Sequence, residues 1–265
     1  MKIVVCIKQV PQTTNVQIDP ETHTLVRQGV ESQINPFDLY ALEEAVRVKE
    51  RLAAVGETST VTVVSMGPPQ VEAALREAIT LGGDEAVMLS DRAFAGADTW
   101  ATSYALAAAV QKLEADLVFC GMQAIDGDTA QTGPGITVHA DYALATYVSK
   151  IDAIDTKQAT VQRLLEDGYE CCTLTLPALF TVVKEINDPR TPSIRGKMRA
   201  KSAKIPVWTA ESLGLDQEKC GQKGSPTLVV KVFCPEHRAG GEKWDGDVPD
   251  LATKLLEIIR ERVTV

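Results

Sequence analysis

The 265-residue sequence has no GxGxxG, no GxxxxGK followed by Ser or Thr, and no GxSxG. These absences exclude the usual dinucleotide fingerprint, the phosphate loop of nucleoside triphosphatases and the nucleophile elbow of hydrolases. Histidine is scarce: His23, His139 and His237 lie far apart with no nucleophile nearby in sequence. A hydrolytic triad is therefore not expected, and His139, in a helical stretch beside Asp141, reads as a surface or half-buried side chain. No catalytic acid or base stands out. Six cysteines, Cys6, Cys120, Cys171, Cys172, Cys220 and Cys234, show neither CxxC pairing nor zinc-ribbon spacing. Reduced thiols are expected, with Cys6 and Cys120 acting as small hydrophobes inside apolar runs. Cys234-Pro-Glu-His237 has the separation of two metal ligands but lacks a second pair, so no metal is expected. No apolar run approaches the ~20 residues of a membrane helix, and MKIVVCIKQV turns charged too early for a signal peptide. A cytoplasmic protein without membrane insertion is the expectation. Positive charge is also short, at 27 Lys and Arg against 36 Asp and Glu, net -9. Nucleic-acid binding needs clustered cations to neutralise phosphates and is not expected.

What is present is alternation. The runs KIVVCIKQV, STVTVVSMG, EAVMLS and DLVFCG read as strands, and helical patterns fall between them. In PFDLYALEEAVRVKERLAAV, Leu39, Leu42, Val46 and Leu52 share one face, while Glu43, Arg47, Glu50 and Arg51 lie largely off it; Asn35 reads as the cap and Pro36 as the first turn. GPPQVEAALREAITLGG and DTWATSYALAAAVQKLEAD repeat the pattern. Such an order predicts an α/β fold with a doubly wound, mostly parallel sheet. From about 144 to 183 the texture changes to strands joined by tight turns around Lys157 and Asp167-Gly168, an added β-meander. The expected division is an α/β domain over 1–187 followed by an extended arm over 188–265, which ends in an amphipathic helix from about Asp250 to Val263.

In a doubly wound sheet, ligands settle beyond the carboxyl ends of the strands where connections diverge. Four stretches reach such ends: Cys6 to Lys8, Asn35 to Asp38, Ser65 to Gly67, and the loop GMQAIDGDTAQTGPG from Gly121 to Gly135. In that loop, Gly121 and Gly127 permit close backbone approach. Asp128-Thr129-Ala130-Gln131 fits a capping box, whose helix would start with free amides suited to an anion. Asp128 would serve as the cap and Asp126 would face ribose or solvent. Pro134 would distort the first turn of a helix begun at Thr129. Taken alone, the loop fits an ordinary capped helix as well as a phosphate cradle; its place at the strand ends favours the cradle. Elsewhere, RTPSIRGKMRAKSAK gathers Arg190, Arg195, Lys197, Arg199, Lys201 and Lys204 without an acid, around the apolar Ile194 and Met198. The expectation is a docking patch for an acidic partner.

The combination CIKQVP, INPFDLYALEEAV, VSMGPPQ, CGMQAIDGDTAQTGP and LPALFTVV, in that order over essentially the whole chain, resembles the beta (small) subunit of electron-transfer flavoproteins. The family's signature region corresponds to Val161–Thr181, with Arg163, Glu166, Asp167, Gly168, Glu170 and Pro177 in register; Cys172 stands where an aliphatic residue is usual. The resemblance implies an adenine-nucleotide-hydrolase-like fold and a heterodimer with a larger alpha subunit that carries FAD. It further implies that this chain binds its own nucleotide through Cys6, Asn35, Pro36, Phe37, Asp38, Met66 and the run Gly121, Met122, Gln123, Ala124, Ile125, Asp126, Gly127, Asp128, Thr129, Ala130, Gln131 and Thr132. The basic segment would be a recognition loop for a flavin dehydrogenase, docking at Arg190, Ile194, Arg195, Lys197 and Met198, and the C-terminal arm would wrap the alpha subunit.

The family has two versions. In one the beta subunit holds a structural AMP; in the other it holds an FAD that takes a hydride from NADH and bifurcates the electrons, one to ferredoxin or flavodoxin and one through the alpha subunit's FAD. IDGDTAQTGP, VVCIKQVP and SIRGKMRAK are similar to the bifurcating group, and Gly127 stands where AMP-type relatives carry a bulkier acidic residue. FAD is thus expected ahead of AMP. A stand-alone adenine-nucleotide-binding regulatory domain is a third reading, which the tail and basic segment disfavour.

Overall fold

The computed structural model describes residues 1–12, 32–230 and 240–262. His23, Cys234 and His237 lie outside them, and with them the Cys234-Pro-Glu-His237 spacing.

The β-branched runs become strands β1 (Lys2–Cys6), β4 (Thr60–Met66), β5 (Glu85–Leu89) and β6 (Leu117–Gly121). Their near-continuous burial is what a parallel sheet covered on both faces requires. Between β1 and β4 the chain passes through the short antiparallel pair β2 (Gln9–Pro11) and β3 (Ser32–Ile34) into α1 (Pro36–Ala54). Helix α2 (Glu72–Thr80) leads to β5, and α3 (Thr99–Lys112), capped by the Asp98 carboxylate on the amides of Trp100 and Ala101, leads to β6. Helix α4 (Thr132–Ala140) precedes β7 (Ala143–Ile154), β8 (Gln158–Leu164), β9 (Tyr169–Thr175) and β10 (Ala178–Val182). After them come α5 (Ile194–Ser202), β11 (Val207–Trp208) and α6 (Val248–Arg262).

The main sheet has the order β11-β5-β4-β1-β6-β10-β7-β8-β9. Pairing is parallel from β11 to β7 and antiparallel from β7 to β9. Chain order runs outward from β1 through β4 to β5, then returns across it to β6. The connections therefore diverge between β1 and β6, whose shared ladder ends at Cys6 opposite Cys120. One apolar layer packs α1 and α2 on the sheet through Ala41, Leu42, Ala45, Leu75 and Ile79; the other packs α3 and α4 through Ala105, Ala109, Val110 and Ile136.

The meander is less separate than expected. Its turns form where the sequence places them, with the Asp155 amide donating to the Gln158 carbonyl and the Leu165 amide to that of Gly168. One segment, however, serves twice: β9 is the edge strand, and beyond a cis Leu176–Pro177 bond the same stretch enters the parallel sheet as β10, between β6 and β7. The cause is composition, since Ala178–Val182 is wholly buried whereas Tyr169–Thr175 is mostly exposed.

The division of the chain also differs. Contacts hold Met1–Val230 together as one compact unit rather than breaking after 187, because α5 and β11 have their own anchors on the α/β body. Arg76 donates to the Ala200 carbonyl (2.5 Å), Arg199 to that of Gly83 (2.8 Å), and β11 pairs with β5. The second unit is Lys231–Val265. Within it α6 has no buried residue, and Leu255, Leu256 and Ile259 form its exposed apolar side. No described helix is long and apolar enough to cross a membrane.

Candidate functional site at the crest of the sheet

The carboxyl ends of β1, β4, β5 and β6 form a crest, and the expected stretches meet there. The carbonyl of Lys8 accepts from the Asn35 amide (2.8 Å), and the Ile7 carbonyl accepts from the Ser65 hydroxyl (2.8 Å). Met66, the last residue of β4, packs against the layer beneath α3, and Cys6 is buried opposite Cys120. Hydrogen bonding to Cys6 and burial push the Cys120 thiol well up, so Cys120 is neutral, and both cysteines pack in the core. That agrees with the sequence reading of both as small hydrophobes; Cys6 turns its thiol into the layer, not outward.

The first turn of α1 fastens the loop after β6. Asn35 does not cap the helix. Its amide nitrogen donates to the Gln123 carbonyl (2.8 Å) and its oxygen accepts from the Ile125 amide (3.1 Å), which braces the loop from across the crest. Capping is a local preference; here a distant segment competes for the same oxygen and nitrogen. Asp38 accepts from the Lys8 amide (2.7 Å) and from the Gly121 amide (3.2 Å). Burial pushes its carboxyl up to about 7, against the pull of these bonds. Gly121 is obligatory for reasons of space: a Cβ would stand 2.5 Å from the Asp38 Oδ1 and 2.6 Å from the Phe37 carbonyl carbon. Phe37 thus forms the wall against which β6 ends.

The loop itself departs from the expected capping box. Helix α4 begins at Thr132, three residues later than a Thr129 start would have it, and Gln131 precedes it without a side-chain cap. Asp128 instead accepts from the Gln123 side chain (3.0 Å) and lies at φ 50°, while Ala130 lies at φ 54°. Non-glycine residues in this region cost of order 1–3 kcal/mol each and persist only where surroundings over-determine them. The later start also changes the meaning of Pro134. It sits in the first turn, where an amide would have no intrahelical partner, and it does not distort the helix interior. Thr132 and Gly133 carry the first-turn amides, and Gly135 resumes the ladder by donating to the Gln131 carbonyl (2.9 Å). A left-handed Ala130 followed by a right-handed Gln131 makes the concave amide arrangement that holds anions.

Charge is arranged to suit. Asp126 is neutralised by the Lys8 ammonium at 2.6 Å, so the negative loop presents less charge than its sequence suggests. Gly127 has nothing within 4 Å of where a Cβ would stand, which leaves space at the bend. Lys8 and Ser65 belong to the expected strand-end stretches though not to the ligand residues the resemblance implies. One contributor lay outside the expected stretches, Thr99, whose hydroxyl lies 3.4 Å from that of Thr129. The signal for Thr99 was available, because α3 also starts just beyond a strand end. Met122 joins the crest through its amide, which donates to the Val182 carbonyl (3.0 Å), and Ala124 closes the bend by accepting from the Gly127 and Asp128 amides.

The basic segment forms a helix rather than a loop. The Ser193 hydroxyl caps α5 by accepting from the Gly196 amide, and Ile194 and Met198, one turn apart, are 82% and 71% exposed. Arg190 departs from the docking expectation. It donates to Glu43 (2.7 Å) and Glu50 (2.8 Å), which buries Glu43 on α1 although periodicity placed that residue off the apolar face. Burial works against ionised Glu43, but hydrogen bonds from Arg190 and Arg47 outweigh it and hold the carboxyl below its usual range. Arg199 is likewise occupied by the Ile79 and Gly83 carbonyls and by Asp84. Arg195 and Lys197 stay exposed without an ion pair among the described residues. A cavity of about 430 Å³ lies on this flank, not at the crest, between α1 and the start of α5. Of its cations, Lys49, Arg190 and Arg199 already face Asp84, Glu43 and Glu50, and Arg195 is the fourth. His139 sits between the rings of Trp100 (4.4 Å) and Tyr104 (5.4 Å), half-buried as expected, and burial lowers its basicity.

Comparison with known proteins gives concordant matches. The family described as "Electron transfer flavoprotein domain" matches residues 22–213. The chain is 49% identical over 263 residues to the electron transfer flavoprotein subunit beta of Thermoanaerobacterium thermosaccharolyticum, covering 99% of each. It is 47% identical over 264 residues to the caffeyl-CoA reductase-Etf complex subunit CarD of Acetobacterium woodii, again covering 99% of each. Protein FixA of Azotobacter vinelandii is 46% identical over 267 residues, covering 97% of this chain and 93% of that protein.

Proposed function

Because the chain belongs to the electron transfer flavoprotein family, we propose that it is the small subunit of a two-subunit electron-transfer flavoprotein and holds FAD at the crest of its sheet. The observation that carries this reading is the loop from Gly127 to Gly133, where two strained left-handed residues and two first-turn amides without a partner among the described residues lie beside the divergence of β1 and β6. Main-chain donors and the dipole of α4 suit a diphosphate. When bound there, FAD would supply acceptance of a hydride from NADH and release of single electrons. The chain's part is to bind and orient. The amides of Thr132 and Gly133 hold the phosphates, Lys8 keeps Asp126 from repelling them, and the open flank of Gly127 leaves the bend accessible.

On this reading one electron passes to ferredoxin or flavodoxin and the other to the FAD of the alpha subunit, then to a flavin dehydrogenase. That the relative named CarD belongs to a caffeyl-CoA reductase-Etf complex favours a dehydrogenase acceptor docked at α5 through Ile194, Met198, Arg195 and Lys197. Arg190 supports that flank from behind. The second reading is a structural AMP at the same crest, which the same phosphate donors would serve. Co-expression with the large subunit, followed by counting of flavin and AMP per heterodimer, separates the two. Two FAD with bleaching by NADH is the expected result; one FAD with one AMP overturns it.

A further inference from the structure

Every polar atom of Asn35 and Asp38 is already engaged within the protein. Asp38 divides its two carboxylate oxygens between two strands, Oδ2 taking the Lys8 amide beyond the end of β1 and Oδ1 taking the Gly121 amide at the end of β6. The β1–β6 ladder stops at Cys6 opposite Cys120, so this carboxylate replaces the next rung with a wider spacer just where the crevice opens. Asn35, three residues earlier, does the same for the loop, gripping it at the Gln123 carbonyl and the Ile125 amide. Both side chains are buried, at 6% and 1% exposure. They are also anchored by backbone: the Asn35 amide donates to the Lys8 carbonyl, and the Asp38 amide to the Asn35 carbonyl.

We infer that Asp38 and Asn35 are positioning residues, a clamp at the first turn of α1 that sets the gap between β1 and β6 and aims the Gly127–Gly133 amides, and that neither contacts the bound nucleotide through its side chain. This rests on the nucleotide reading of the crest given above, and it reassigns two residues that the family resemblance counts among ligand contacts. Its chemical logic is the pairing of acceptors with donors. An ionised carboxylate accepts from two amides at once, whereas an amide side chain of the same shape must turn an NH₂ toward one of them. Leaving a buried donor unmet costs about 1–3 kcal/mol. The groups facing Asp38 are the Lys8 ammonium, itself paired with Asp126, and the neutral Cys120 thiol beside Cys6.

The test uses the full-length chain in its complex with the large subunit, with AMP and FAD as probes, and amide hydrogen exchange measured without either. Asp38→Asn is expected to expose the Lys8 and Gly121 amides to exchange, Asn35→Ala the Ile125 amide, with the β4 and β5 amides unchanged. Each is expected to weaken AMP or FAD binding about tenfold. A readout that a general loss of packing would not move is the pH profile: affinity of the unmodified protein changes between about pH 6 and 8, where Asp38 exchanges its proton, and that of Asp38→Asn does not. Weakened binding with crest protection intact would make the two residues direct contacts and overturn the inference. So would unchanged protection with affinities within twofold. If the unmodified protein binds neither AMP nor FAD, the nucleotide reading fails, and exchange at Lys8, Gly121 and Ile125 still decides the clamp. Asn35→Ala touches only the loop and keeps the test decisive should Asp38→Asn not fold.

Discussion

The crest and the α5 flank solve opposite problems with similar residues. At the crest, charged and polar side chains are already partnered: Asp38 and Asn35 are consumed by backbone groups, Lys8 by Asp126, and Asp128 by Gln123, leaving main-chain amides as the outward donors. On the flank the inward cations Arg190 and Arg199 fasten the segment, while Ile194, Met198, Arg195 and Lys197 face out. A small ligand needs fixed donors that require no reorganisation, and a macromolecular partner needs apolar anchors ringed by long-range charge. The difference lies in which atoms are left over after folding has used the rest.

Replacing Gly121 by Ala should disturb the comparison most. The added methyl would overlap Phe37 backbone and the Asp38 carboxylate, so a loss of about 3 kcal/mol or more in urea unfolding is expected, together with loss of bound nucleotide and no effect confined to the flank. If the variant unfolds normally and retains nucleotide, the crest is not built as described. On the flank, Ile194→Ala should leave stability within about 0.5 kcal/mol, because that side chain is 82% exposed, yet slow electron delivery to the dehydrogenase about ten- to a hundredfold. Equal effects on both quantities would merge the two regions into one. Arg195→Glu should slow association several-fold at low ionic strength and lose that effect as salt screens it, whereas Arg190→Ala, facing Glu43 and Glu50, should appear chiefly in stability, at about 1–3 kcal/mol. Stopped-flow measurements over a salt series with parallel unfolding curves check both.

The pH dependences have opposite signs. Asp38 has a folded value raised to about 7, so its favourable contribution is full below its ordinary value and is lost as pH rises through about 7. Glu43 and Glu50 are lowered, the former against burial by Arg190 and Arg47 and the latter chiefly by the Arg190 hydrogen bond. Their contribution is present above the ordinary glutamate range and lost as pH falls through their folded values. Asp38→Asn should therefore flatten the neutral limb of the stability profile, and Arg190→Ala the acid limb. The smallest effect expected is at Ala130→Gly, where relief of a left-handed alanine offsets the added freedom of the unfolded chain, for a net gain of up to about 1 kcal/mol.

Several local features were legible because local energetics decide them. The helical pattern that opens at Asp98 forms α3, with Asp98 as its cap, and the β-branched runs form the strands. Other misreadings share one cause. Asn35 and Asp128 have the chemistry of helix caps, yet each bonds elsewhere, Asn35 to the loop after β6 and Asp128 to Gln123. Glu43 follows the polar side of the α1 pattern but is buried, because Arg190, remote in sequence, brings two hydrogen bonds to it. Ala178–Val182 reads as the end of a meander, and only the vacancy between β6 and β7 makes it a central strand.

By itself, then, the order of residues determined the alternation of strand and helix, the crest as the meeting place of four loops, and a basic segment with apolar Ile194 and Met198 in it, since each follows from periodicity or charge within a few turns of chain. Tertiary structure decided which polar atoms are spent and which remain free. That outcome depends on partners far apart in sequence competing for the same few donors and acceptors inside a space from which water is excluded.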